Sequence, residues 1–249
     1  MRQINPNLLK LAQLTYNPEL KVDKRILEEK AEEISSLENL TDFWRIPNVS
    51  YRNGIYTVDL AKELLDNRNA KTQEQWVEYS KQAKQNNNFY TGDMPLHHAV
   101  FTALSKNNGK DAQEAMNFVK EQMRAKWLMT LTRLRYNPKG KDDAINNYGM
   151  DDEYAIETKL VGADEWIKDS KNIDYLKAIL GNNNVNEINQ VYQRINGTEA
   201  RIWRLNSKPE NIDERVAGFV AGSGGVGLGC CRDPGGSYSS LGVRPTQKI

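Results

Sequence analysis

The chain has 249 residues, a formal net charge of +1, and 39% hydrophobic against 27% charged residues. That length can bury a real core, as one large domain or one domain with a helical extension. The near-neutral charge gives no global pull toward nucleic acid or membrane, and no apolar stretch approaches the length of a membrane span.

Residues 1–20 lack an uninterrupted apolar stretch with a small-residue cleavage site, so no signal peptide is read and a cytoplasmic address is the default expectation. Asp23 can cap a helix whose apolar stripe is Leu27, Ala31, Ile34 and Leu37. A second helix is expected after Thr57, burying Leu60, Leu64 and Leu65. Thr72 and Gln75 form a capping-box pattern ahead of Trp76, Val77 and Tyr79. Leu96 to Leu104 reads as another apolar helix. The longest helix is expected over about Asp111–Tyr136, with Ala112, Met116, Val119, Met123, Trp127, Leu131 and Leu134 on one face. Asn137-Pro138-Lys139-Gly140 would end it, followed by a polar loop from Lys141 to Glu157 and a short helix around Val185 to Ile195.

The pattern changes at the turn Asn196-Gly197-Thr198. Ala200 to Leu205 alternates in the manner of a strand, with Trp203 and Leu205 on one face. Three more short strands are expected at 215–220, 226–230 and 241–244, separated by turns rich in Gly, Ser, Pro and Asp. Helices first and a short antiparallel sheet last is an α+β layout, with one possible boundary near residue 45. The expected domains are a helical segment over 1–45 and a main domain over 46–249.

Several motifs tempt and are declined. Gly222-Ser223-Gly224-Gly225-Val226-Gly227 matches the glycine fingerprint of a dinucleotide-binding turn, but Gly229 to Pro234 does not read as the helix it requires. His97 and His98 would diverge by about 100° on a helix and suit half-buried packing better than a shared metal. Cys230 and Cys231 lack zinc-knuckle spacing and form no disulfide framework. Asp151, Asp152 and Glu153 depart from EF-hand spacing and read as a solvated loop. The basic residues between Lys120 and Lys141 read as a solvated helix face, with a nucleic-acid face as the rival. No catalytic arrangement is found, and no metal or other cofactor is expected.

The run from Arg215 to Arg244 stands apart in composition. It holds both cysteines and many of the glycines, yet no Asn, Lys, Gln, Glu, Met or Trp. Hydrophobic residues still recur at strand-like intervals: Val216, Phe219, Val226, Leu228, Leu241 and Val243. Alternation along 226–231 puts Val226, Leu228 and Cys230 on one face, where Cys230 would be a buried small hydrophobe. Gly227, Gly229 and Cys231 share the other.

This run, with its lead-in, resembles the variable region of a target protein of an archaeal diversity-generating retroelement. The resemblance is carried by the end Leu241-Gly242-Val243-Arg244 and the struts Arg215-Val216, Phe219, Leu228, Cys230 and Pro234. The lead-in Asn196-Gly197-Thr198 with Ile202-Trp203-Arg204-Leu205-Asn206 completes it. It is strongest over about 196–244, and the helical half upstream is not diagnostic. It implies a C-type lectin-like fold presenting a loop-rich binding surface on a short sheet. In that family a reverse transcriptase copies a template with errors confined to adenines. Randomising both adenines of an asparagine codon ending in a pyrimidine never yields Lys, Gln, Glu, Met or Trp, the types absent here together with Asn.

The resemblance therefore implies a non-enzymatic binding protein with a diversified surface for varying ligands, most plausibly proteins. The expected variable, ligand-facing positions are Ala221, Ser223, Gly224, Gly227, Gly229, Cys231, Arg232, Asp233, Gly235, Gly236, Ser237 and Tyr238. Tyr238 and Arg232 are the only strong anchors among them, so weak binding by this copy is expected. One rival is a formylglycine-generating (sulfatase-modifying) enzyme, which shares the fold and a similar ending. The other is a helical nucleic-acid-binding protein using the Lys120 to Lys141 face, although no nucleic-acid partner is expected. Oligomeric state is left open.

Overall fold

The computed structural model describes residues 37–222 and 224–248. The helix expected to start at Asp23 lies outside the described residues, as does Ser223. Among the described residues the fold is α+β, with five α-helices packed around a five-stranded and a seven-stranded sheet. Among the described residues no helix is long and apolar enough to cross a membrane.

Strands β1 (Glu38–Asn39), β2 (Phe43–Tyr51) and β3 (Gly54–Leu64) open the described part of the chain as an antiparallel meander. Helix α1 (Gln73–Gln85) starts at the expected capping box. Thr72 Oγ1 accepts the Gln75 amide at 3.3 Å and Gln75 Oε1 accepts the Thr72 amide at 3.0 Å. After β4 (Tyr90–Thr91), helix α2 (Met94–Lys106) is capped by Asp93, whose Oδ1 accepts the Leu96 amide at 2.8 Å. Helix α3 (Lys110–Ala125) leads into β5 (Leu128–Tyr136), β6 (Asp142–Asn146), β7 (Tyr154–Thr158) and β8 (Glu165–Trp166). Helices α4 (Ile173–Leu180) and α5 (Val185–Asn196) both end on left-handed glycines, Gly181 and Gly197. Strands β9 (Ala200–Trp203), β10 (Asp213–Gly222), β11 (Gly225–Arg232) and β12 (Leu241–Lys248) complete the chain.

The sheet orders are β1-β2-β3-β12-β4 and β7-β6-β5-β10-β11-β9-β8. The C-terminal strands therefore do not make one short antiparallel sheet. β12 is inserted between β3 and β4, whereas β10 and β11 sit in the middle of the other sheet, where β11 pairs with β9 in parallel. The main core lies between the sheets and helices α2–α5, around Phe101, Tyr192, Phe219 and Leu228. A smaller cluster of Trp76, Met129, Leu131 and Val216 covers part of the opposite face of the larger sheet, with Trp127 and Tyr238 packed against it.

Three expectations of secondary structure are corrected, and the position of the expected boundary is located. The segment after Thr57 is not a helix but the rest of β3, pinned by pairing to β2 and β12. The long helix stops at Ala125, and 128–136 is a strand buried on both faces, so its apolar residues show no alternation. The supposed loop after Lys141 contains β6 and β7, whose polar Asp142 is buried and accepts the Leu160 amide at 2.9 Å. The boundary near residue 45 falls inside β2, whose first residues pair with β3.

His97 and His98 are buried in α2 rather than half-exposed. Burial pushes each imidazole down to about 4, with Nδ1 of His97 against the Asp93 carbonyl and Nδ1 of His98 against the Tyr192 hydroxyl. Glu153 accepts the Gly149 amide and Asp152 pairs with Lys84, so this acidic cluster is tied into local contacts.

Candidate functional site

The β10–β11 hairpin carries alternation through its pairing. Phe219 stands opposite Leu228 and Ala221 opposite Val226 on the core face. Gly218 stands opposite Gly229, Val220 opposite Gly227 and Gly222 opposite Gly225 on the outer face. β9 continues the outer rows, placing Arg201 beside Gly227 and Trp203 beside Gly229. The middle strand of the three thus has almost no outward side chains, and its neighbours overhang it.

The result is a groove of about 710 Å³ rimmed by Trp127, Trp166 and Trp203. Gly224, Gly227, Gly229, Cys231 and Arg232, all expected as ligand-facing, line it together with Arg201. Trp203 is 42% exposed, because Ala200 and Ile202 take the core-facing positions of β9. The Arg201 guanidinium sits 4.5 Å from the Trp203 ring and 5.8 Å from that of Trp166. Trp127 faces Arg232 at 6.0 Å and Tyr238 at 4.5 Å.

Two positions depart from open display. Ala221 belongs to the core face and is 6% exposed, touching the groove only at its end. Gly227 and Gly229 are buried beneath indoles: a β-carbon at Gly227 would stand 3.1 Å from Trp203 Nε1, and one at Gly229 would stand 2.8 Å from Trp127 Nε1.

Asp233, Gly235, Gly236, Ser237 and Tyr238 form the adjoining loop. Asp233 Oδ1 accepts the Gly235 amide at 2.8 Å and its carbonyl accepts the Gly236 amide at 3.1 Å, closing a tight turn. The loop is moored at both ends. Pro234 O accepts the Gln73 amide, and Tyr238 exchanges two backbone hydrogen bonds with Lys71 while accepting from Trp76 Nε1 at 2.8 Å. Tyr238 is therefore half-buried and partly structural, whereas Arg232, Asp233, Gly235 and Ser237 are exposed.

The cysteines divide as alternation requires. Cys230 is fully buried, its thiol pushed up to about 12 by burial, and its carbonyl accepts from Tyr136 Oη at 3.0 Å. Cys231 is half-buried on the groove side, its thiol also raised by burial.

The basic residues around β5 do not make one helical face. Lys120 and Arg124 lie on α3, but Arg133 is buried in β5 between Glu74 at 2.7 Å and Glu214 at 3.1 Å. Arg135 also pairs with Glu214.

The sequence reading missed the three tryptophans and Arg201 as site residues. Trp127 was placed on a helix stripe that ends two residues before it. Arg201 and Trp203 were findable from the alternation of β9, which makes them the outward pair. Trp166 lies in a two-residue strand with no local signal. Compared with protein-family models, curated proteins and solved structures, the chain matches none.

Proposed function

We propose that the protein is a non-enzymatic binding protein whose C-terminal hairpin and adjoining loop form a diversified surface for protein ligands, on a C-type lectin-like scaffold. One observation carries this reading: the hairpin glycines sort by what a side chain would meet. At Gly224, and at Gly222, which was not expected to vary, a β-carbon meets nothing within 4 Å, and at Gly227, Gly229, Gly235 and Gly236 its nearest neighbours are side-chain atoms. At Gly218 and Gly225 it meets backbone, 2.3 Å from Leu128 O and 2.7 Å from Glu199 O. All five glycines expected to vary could accept side chains by moving other side chains. The two that cannot were not among the expected variable positions.

The composition of the run supports the same reading, since the apolar struts Phe219, Leu228 and Cys230 point into the core while Gly224, Gly227, Gly229, Cys231 and Arg232 line the groove. The groove also supplies aromatic anchors that the hairpin itself lacks, so weak binding no longer follows from the glycines. The placement of Cys230 and Cys231 on opposite faces of β11 gives no support to a paired-cysteine enzyme.

Sequencing the genomic neighbourhood of the coding DNA tests the reading. The expected result is a near-copy of the 215–244 segment that differs only at template adenines, beside a reverse transcriptase gene. A locus without such a copy would overturn diversification.

A further inference from the structure

The groove has a charge and shape of its own, and these restrict what this copy can hold. Three indoles line it, those of Trp127 and Trp203 lying over Gly229 and Gly227, while Gly222, Gly224 and Gly225 leave backbone open at one end, a combination that accepts flat groups. Two guanidiniums, of Arg201 and Arg232, line it, and among the described residues no carboxylate does; Asp164, which lies by Cys231, accepts the Arg204 amide. Neighbouring arginines are neutralised: Arg204 pairs with Glu165 at 2.9 Å and Arg215 with Asp213 at 2.7 Å. Arg201 has no such partner among the described residues, and its buried Nε makes no hydrogen bond there. Stacking between Trp203 and Trp166 fixes this charge at the groove wall.

We infer that the groove receives an aromatic side chain flanked by carboxylates, carried on a segment of a partner protein. The ring packs against the indoles that line the groove, and the carboxylates answer the two arginines. A volume of about 710 Å³ exceeds what one ring fills and leaves room for the flanking residues. The inference rests on the groove being the ligand surface proposed above.

Three acetylated, amidated tripeptides serve as probes: Asp-Phe-Asp, Lys-Phe-Lys and Asp-Ala-Asp. Each is titrated into the full-length ¹⁵N-labelled protein while the five tryptophan indole N–H signals are followed. Asp-Phe-Asp should shift the signals of Trp127, Trp166 and Trp203 to saturation and leave Trp44 and Trp76 unmoved. Lys-Phe-Lys and Asp-Ala-Asp should bind at least about fivefold more weakly, and Arg201→Gln and Arg232→Gln should each weaken Asp-Phe-Asp about three- to tenfold. Equal binding of Asp-Phe-Asp and Lys-Phe-Lys overturns the inference without relying on any variant, as does the absence of shifts at the three groove tryptophans. Failure of the peptide beside an adenine-restricted near-copy in the genome removes this inference alone. Success of the peptide without such a copy removes diversification alone.

Discussion

The indole of Trp127 lies so close over Gly229 that a β-carbon there would stand 2.8 Å from its Nε1. The same ring packs on Tyr238 and approaches Gly218 on the opposing strand. Residue 229 therefore sets where Trp127 can lie. Gly229→Ala should displace the indole, loosen its pairing with Tyr238 and cost about 1–2 kcal/mol. Urea denaturation and near-ultraviolet circular dichroism check this. An unchanged midpoint with an unchanged aromatic spectrum would contradict the packing.

Two further glycines of the hairpin should tolerate substitution less well. Gly218→Ala drives a methyl against the Leu128 carbonyl, and Gly225→Ala combines a φ of +119° with a clash at the Glu199 carbonyl. Backbone cannot yield as a side-chain tip does, so each should cost about 3 kcal/mol or more. Gly227→Ala meets only Val220 and the partly exposed Trp203, so its stability should stay within about 1 kcal/mol of the parent. Urea midpoints of the three variants decide the matter, and equal losses would remove the distinction between fixed and replaceable glycines.

The two thiols should separate by access. In the folded protein iodoacetamide should modify Cys231 alone, and in urea both. Burial raises the Cys231 thiol above its ordinary value, so labelling should be slow at pH 7 and quicken as pH rises. Mass spectrometry reads the count, and modification of Cys230 in the folded state would refute its burial.

Stability should fall as the solution is acidified below about pH 6.5. The unfolded chain protonates His97 and His98 near their ordinary value, whereas burial holds both neutral in the fold down to about 4. Stability present above the unfolded value is thus lost as pH falls between the two. Asp93 opposes this, since burial raises its carboxyl to about 6 and its protonated form favours the fold. Two histidines outweigh one aspartate, leaving a net loss on the order of 3 kcal/mol between pH 7 and pH 4. His98→Phe should lose clearly less over that range in urea titrations. Equal pH slopes in the two proteins would show that His98 does not titrate in this way.

Legibility in the sequence followed the physics of each segment. Helix α1 was readable because Thr72 and Gln75 make the two reciprocal bonds of a capping box, and β11 because one face is core and the other glycine. Strand β5 was not, because both its faces are covered and Leu131 and Leu134 happen to sit at a helical spacing from Trp127. Strand β3 failed for a related reason: Val58, Asp59, Leu60 and Ala61 are all buried, which erases the period of two. Composition marked the stretch from Gly224 to Tyr238, of which Gly224, Gly227, Gly229, Cys231 and Arg232 come together at the groove. The aromatic rim was not so marked, since Trp127, Trp166 and Trp203 come from three separate segments that only the sheet order brings together.

Strands β10, β11 and β12 each run between two others, and between them they enter both sheets. Under the proposed diversification, a new version of this segment would have to be accommodated by both sheets before it met any target. A copy that damages a strut such as Phe219 or Leu228 forfeits the assembly of the domain, and cellular proteolysis removes it. Folding would then act as the editor of any such repertoire, passing changes of surface and rejecting changes of frame.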